Sequence, residues 1–214
     1  MNNKRGKIIV IAAPSGCGKS TIINALLEGG DLNLGFAVSA TTRPPREGET
    51  EGVNYYFMRE EDFRDAIAEG RFVEFEEVYP GRFYGTLRSE IDRIIDEGHN
   101  IILDLDVNGA LSVKKLYGVD AMSIFIAPPS IEELRRRLEF RGTETPEVID
   151  VRVDRAQYEI SRASEFDTSV VNDRLDEAIV TVRNIIRACL KTIVNRSEFS
   201  ERNNNSCDHE HFVG

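Results

Sequence analysis

The sequence is poor in the side chains that build disulfide frameworks and stable metal centres. Its three cysteines, Cys17, Cys189 and Cys207, have no metal-ligand spacing, so neither a disulfide scaffold nor a zinc site is expected. Its three histidines are equally uninformative. His99 has no catalytic partner near it, and His209 and His211 flank Glu210 in a polar terminal segment where disorder is a simpler expectation than metal binding. No apolar run approaches the ~20 residues needed to cross a bilayer. The start Asn2-Asn3-Lys4-Arg5 leads into a strand and not a signal-peptide core, so a cytoplasmic location without a membrane partner is expected. Positive charge is also short, with 27 Lys and Arg against 37 Asp and Glu and a net charge of −10. General nucleic-acid binding needs a basic face to displace counterions, so nucleic acid is not an expected partner. An anionic ligand would have to be met by local clusters of arginine. Two exist, Arg43 with Arg46, and Arg135 through Arg141.

At 214 residues and 41% hydrophobic, the chain can bury a core as one globular domain with small lobes. Its organising stretch is Ala13-Pro14-Ser15-Gly16-Cys17-Gly18-Lys19-Ser20, which follows the apolar run Lys7 to Ala12 and leads into a helical pattern from Thr21. Strand, glycine-rich turn, then Lys-Ser at a helix start is a phosphate-binding loop. Backbone N–H groups converge on an anion, Lys19 reaches the β- and γ-phosphates and the Ser20 hydroxyl meets Mg²⁺. Ala13 stands where the strict pattern has glycine. Cys17 is either a small filler or a thiol activated by the converging N–H groups.

Downstream, Phe36 to Ala40 is expected as one short strand, after which Thr41-Thr42-Arg43-Pro44-Pro45-Arg46 forms a stiff extended loop. Its two arginines are either a solvated basic loop or a bidentate phosphate clamp. Val53 to Met58 is another expected strand and Glu60 to Glu69 an amphipathic helix. Arg71 to Tyr79 alternates as an antiparallel strand should, and Pro80-Gly81 turns it toward Phe83-Tyr84-Gly85-Thr86. A helix from Leu87 to Glu97 then precedes Asn100 to Asp106, an apolar strand ending in aspartates. An aspartate there is the candidate for ordering a Mg²⁺ shell, unless these are ordinary loop carboxylates. Ser130 and Glu133 form a capping box for a helix that carries Arg135, Arg136, Arg137 and Arg141, with Arg152 and Arg155 on the next one. That charge run is either a solvated helix face or a mobile lid over phosphates. A last strand at Ser169 to Val171 ends in Asn172, and an amphipathic helix closes the core. The expected fold is α/β, a parallel-sheet core with helices on both faces. Its parts are a core at 1–35, 91–136 and 158–195, a β-rich insertion at 36–90, a lid at 137–157 and a flexible tail at 196–214.

With these motifs in order, the chain resembles guanylate kinase from Lys7 to about Ile193. The likeness rests on the phosphate loop, Ser39-Ala-Thr-Thr-Arg43-Pro-Pro-Arg46-x-Gly-Glu49, Tyr55-Tyr-Phe, Phe83-Tyr-Gly-Thr86, Leu103-Asp-Leu-Asp106-x-x-Gly109 and Arg137-Leu-x-x-Arg141-Gly142. The resemblance implies transfer of the γ-phosphoryl group of ATP to GMP, and to dGMP, with Mg²⁺. It implies that Ala13, Pro14, Ser15, Gly16, Cys17, Gly18, Lys19, Ser20 and Thr21 hold ATP, with Asn172 at the adenine. Ser39, Arg43, Arg46, Tyr55, Glu74, Tyr84, Thr86 and Asp106 would hold GMP. Lys19, Arg43, Arg137, Arg141 and Arg152 would carry catalysis, and Ser20 and, through water, Asp104 the metal. Three departures stand out: Asn108 in place of Gln, Phe83 in place of Tyr, and a turn at Pro80-Gly81-Arg82 that is one residue longer. Three rivals remain: a GTPase, for which Asp106-Val-Asn-Gly109 fits D-x-x-G but no Asn-Lys-x-Asp motif exists; a phosphopeptide-binding scaffold domain; and a kinase of another nucleoside monophosphate. Oligomeric state, monomer or homodimer, is left open.

Overall fold

In the computed structural model, which describes residues 5–142 and 145–204, the apolar run before the glycine-rich loop forms strand β1 (Ile8–Ala12), completely buried along its length. The chain continues through α1 (Lys19–Glu28), β2 (Leu34–Phe36), β3 (Ala40–Thr41), β4 (Tyr56–Phe57), α2 (Glu60–Ala68), β5 (Phe72–Tyr79), β6 (Arg82–Leu87) and α3 (Arg88–Asp96). It then runs through β7 (Asn100–Leu105), α4 (Val107–Tyr117), β8 (Ala121–Ala127), α5 (Ile131–Arg141), α6 (Pro146–Ser161), β9 (Thr168–Val171) and α7 (Leu175–Asn204).

Five strands make the core sheet in the order β2-β7-β1-β8-β9, and every neighbouring pair is parallel. Helices cover both faces, so the central strands are apolar on both sides and do not alternate. Ile9 and Ile11 pack with Ile22 of α1, Leu134 of α5, Val153 of α6 and Val182 of α7. Ile8 and Val10 point the other way, into Ile91 and Ile95 of α3 and Ala110 and Val113 of α4. A second sheet, in the order β4-β3-β6-β5, forms the β-rich insertion. Its small core is aromatic, with the Phe63 ring 4.2 Å from Phe72 and 5.3 Å from Phe83. The departure at Phe83 is therefore an interior one, in a place where a hydroxyl would need a partner.

Three expectations are corrected. The segment Phe36 to Ala40 is not one strand: β2 ends at Phe36 in the core sheet, β3 starts at Ala40 in the insertion sheet, and Ala37 to Ser39 cross between them. The strand expected over Val53 to Met58 shrinks to Tyr56–Phe57, because the Val53 and Asn54 N–H groups both turn back to the Thr50 carbonyl. The closing helix does not stop near 195 but runs to Asn204, since no proline or glycine interrupts it. Residues 205–214, with Cys207, His209 and His211, and the side chain of Arg141 lie outside the described residues.

Candidate active site

The phosphate loop turns because Gly16 and Gly18 take φ values of 96° and 80°, which L side chains rarely adopt. A Cβ on Gly18 would also meet the Asn172 amide nitrogen at 2.7 Å. That amide donates to the Cys17 carbonyl at 2.8 Å and is itself buried, so Asn172 braces the loop from the end of β9. The first turn of α1 has no side-chain cap and no acidic residue. Its N–H groups and the positive end of the helix dipole are left for an anion. Cys17 is completely buried, and burial pushes its thiol up to about 12, with Glu159 adding and Arg137 opposing. The activated-thiol alternative fails on that ground, and Cys17 is the small filler.

Lys19 reaches from α1 across to the end of β7, where Nζ donates to the Leu105 carbonyl at 2.8 Å and pairs with the Asp104 carboxylate. Asp104 is opposite Ile11 in the parallel register, so the strand pairing itself delivers a carboxylate to the loop. The loop, Asp104, Asp106, Arg152, Arg155 and Glu159 line a cavity of about 530 Å³. Arg152 of α6 donates to the Ser15 hydroxyl at 2.9 Å. Arg155, one turn further on, stands 3.7 Å from Asp106 and 3.0 Å from Glu159. The sequence reading left Arg155 out of the site, although its i, i+3 spacing from Arg152 marked the shared face.

A second cavity, of about 510 Å³, lies beside the first and shares Asp104 and Asp106 with it; its other walls include Glu74, Asn108, Gly109 and Ser112. Glu74 on β5 pairs directly with Thr86 on β6, and the Thr86 hydroxyl donates to its carboxylate at 2.6 Å. Two bulges make this register possible, one between Phe72 and Glu74 and one between Glu77 and Tyr79. The hairpin closes with Tyr79 opposite Arg82, and in this register Glu74 and Thr86 are aligned. Burial holds the Glu74 carboxyl above its ordinary range, with the Thr86 hydrogen bond pulling it back and Asp106 pushing it up. Asp106 caps α4, accepting from the Gly109 N–H at 2.7 Å. Asn108, the shortened amide, accepts from Arg162 just past α6.

Tyr84 shares a sheet face with Thr86, two residues on. Its ring is 6.0 Å from Tyr55, and the Arg43 guanidinium lies 5.3 Å from the Tyr55 centroid. Arg43 is buried and donates to Glu49 at 2.8 Å and to the Pro44 carbonyl at 2.7 Å. Glu49 also accepts from the Arg46 N–H at 2.7 Å, and Arg43 holds its carboxyl below the usual range. Glu49 is thus the organiser of this loop, a role the sequence did not reveal. The Arg46 side chain is exposed. Ser39 is half-buried, and its carbonyl accepts the Tyr56 N–H at 2.9 Å.

A third cavity, of about 400 Å³, opens beyond Gly16 and Gly18, lined by Thr21, Arg136, Arg137, Phe140, Asn172 and Leu175. Arg137, expected at the transferring phosphate, is instead held here. It donates to the Asn172 carbonyl at 2.9 Å, the Asp173 carbonyl at 3.3 Å and Glu133 at 2.8 Å. Asn172 lines the same cavity, but its amide N–H is committed to the loop.

The family model described as Guanylate kinase matches residues 5–189. The guanylate kinase of Bacteroides thetaiotaomicron is 50% identical over 185 residues, covering 86% of this chain and 90% of that protein. That of Porphyromonas gingivalis is 53% identical over 180 residues, covering 84% and 96%. Among solved structures, the crystal structure of guanylate kinase from Anaplasma phagocytophilum superposes with a TM-score of 0.62 at 36% identity, covering 86% of each chain.

Proposed function

The chain belongs to the guanylate kinase family, enzymes that transfer a phosphoryl group from ATP to GMP, and on that premise we propose how its residues divide the work. The observation that carries the proposal is the shared wall. Asp104 and Asp106 line both the phosphate-loop cavity and the Glu74 cavity, so a donor in one and an acceptor in the other would meet at these carboxylates.

On the donor side, the loop N–H groups and Lys19 take the β- and γ-phosphates, with Lys19 exchanging Asp104 for phosphate oxygens. Arg152 and Arg155 reach the same space from α6; a part for Arg141 rests on the family resemblance alone. Magnesium enters as an expectation from the family. The Ser20 hydroxyl and Asp104 are hard oxygen donors, and no group of three or more His, Cys, Asp or Glu side chains that could hold a metal is found among the described residues. That donor set suits an ion that arrives on the phosphates and keeps several waters. Bound there, it would neutralise charge on the phosphate oxygens.

On the acceptor side, Arg43, Arg46, Tyr55 and Tyr84 hold the monophosphate, and Glu74, Thr86 and Ser39 read the base. Guanine offers N1–H and N2–H₂ donors side by side, which one carboxylate can accept together, while the Thr86 hydroxyl, its one proton given to Glu74, holds that carboxylate in place for them. Adenine would leave the Glu74 carboxylate desolvated and unpaired, and a site built for hydrogen bonds rejects such an analogue strongly. dGMP presents the same base and phosphate. The acceptor phosphate is largely ionised at neutral pH, its second pKa being about 6, so no general base is needed. Catalysis is positioning and charge neutralisation. The working parts are the core sheet, the insertion at 36–90 and a lid at 137–157.

A coupled ADP-release assay with GMP, dGMP, AMP and UMP tests this. The expected order is GMP and dGMP far above AMP and UMP, with Lys19→Ala nearly inactive. Preference for AMP or UMP, or full activity in Lys19→Ala, would refute it.

A further inference from the structure

Phe140 is 88% exposed, an unfavourable place for a large apolar ring unless something covers it. It stands four residues after Arg136 and three after Arg137 on α5, so the helical repeat turns all three toward one cavity. Across that cavity is the apolar side chain of Leu175, and its floor includes the backbone of Gly16 and Gly18. Gly16, Gly18 and Thr21 also line the phosphate cavity, so the two are continuous around the loop. A nucleotide whose phosphates lie at Lys19 has its base at this end. Several polar groups there are already engaged: the Asn172 amide on the Cys17 carbonyl, Arg137 on two carbonyls and Glu133, and Arg136 on Glu133 at 2.7 Å. Beside the polar side chains of Thr21 and Asp173, the cavity offers a ligand the apolar surfaces of Phe140 and Leu175.

We propose that Phe140 is the stacking residue for the donor base, folding its ring over the adenine of ATP opposite Leu175. The proposal rests on the assignment of the donor triphosphate to the phosphate loop. Offset stacking of aromatic rings and the burial of both faces favour the bound state. The two bases of the reaction are then recognised differently. The acceptor is read at its edges by Glu74 and Thr86, and the donor is held by its face.

The chain contains no tryptophan, so Phe140→Trp introduces a single indole at the site. Saturable quenching of its emission by MgADP is expected, whereas magnesium tripolyphosphate, which offers the loop phosphates without a base, and GMP should leave the emission unchanged. In Phe140→Ala, the KM for ATP should rise about tenfold while the KM for GMP stays within twofold. Emission unmoved by MgADP that calorimetry shows to be bound would overturn the proposal. So would equal quenching by tripolyphosphate, or emission that follows protein concentration and not nucleotide, which would make Phe140 a contact between copies. Failure of both ADP and tripolyphosphate to bind would instead overturn the donor assignment, and the proposal with it.

Discussion

Replacing Glu74 by Gln changes one oxygen to an amide nitrogen at the point where acceptor selection is argued to occur. The Glu74 carboxylate already takes the Thr86 hydroxyl at 2.6 Å on one oxygen. Its remaining acceptor capacity, in a site where burial raises the carboxyl, is what would meet the two donors of guanine. Hydrogen bonds to a charged partner contribute about 1.5–3 kcal/mol each, and neutral ones about 1 kcal/mol. Gln keeps one acceptor and turns a donor toward a donor, so the net loss is about 3 kcal/mol, roughly 150-fold in kcat/KM for GMP. AMP gains by comparison, since no buried carboxylate is left unpaired opposite its N1. The assay is kcat/KM for both acceptors from coupled ADP release, with thermal melting to confirm an intact fold. A pH series adds an independent arm. Because the carboxylate is the binding form and its titration is shifted upward, kcat/KM for GMP should fall as pH drops through that raised value. Glu74→Gln should lose this limb and retain only the titration of the GMP phosphate. If Glu74→Gln keeps kcat/KM for GMP within threefold of wild type, the edge-reading of guanine by this residue is wrong.

Two further outcomes concern buried groups. Glu90 is almost fully buried where the chain crosses between the sheets, accepting from the Tyr56 hydroxyl at 3.0 Å, the Val38 N–H at 3.3 Å and Arg93 at 3.1 Å. Glu90→Ala strands the first two, and should cost about 2 kcal/mol, lowering Tm by about 4–8 °C in a chain of this size; an unchanged Tm would contradict the pinning role. Burial opposes ionisation of Glu90, but hydrogen bonds from Arg93, the Val38 N–H and Tyr56 hold its carboxyl below the ordinary range. Its stabilisation is therefore full above the ordinary glutamate pKa and fades as pH falls through the lower folded value, so the Tm gap between wild type and Glu90→Gln should narrow in acid. Cys17, pushed up to about 12 and completely buried, carries only about one part in ten thousand thiolate at pH 8. Iodoacetamide should leave it unmodified in the native protein by peptide mapping, and rapid alkylation with loss of activity would show that the loop opens.

What the sequence disclosed best was whatever is local in the chain. The loop from Ala13 to Ser20, the apolar strand that starts at Asn100 and carries Asp104, and the capped start of α5 at Ser130 each carry their own geometry, and the structure has them in place. What it disclosed poorly depends on partners far away in sequence. The break at Ala37 to Ser39 exists because β2 pairs with β7 and β3 with β6, in different sheets. The Glu74–Thr86 alignment depends on two bulges that are properties of the paired strands and not of either alone. The resemblance puts Arg137 at the transferring phosphate, whereas in this structure Glu133 and the carbonyls just past β9 hold its guanidinium. Arg155 and Glu49 were visible as residues and not as roles, because only the folded chain shows what each one holds.

The central claim is that one cavity presents a phosphoryl donor to an acceptor in the next, across Asp104 and Asp106. Incubation with ATP labelled in its γ-phosphate, Mg²⁺ and an equimolar mixture of GMP and AMP measures that transfer directly. The label should pass almost entirely to GDP, with little in inorganic phosphate. Label recovered as inorganic phosphate, or preferentially in ADP formed from AMP, would contradict it.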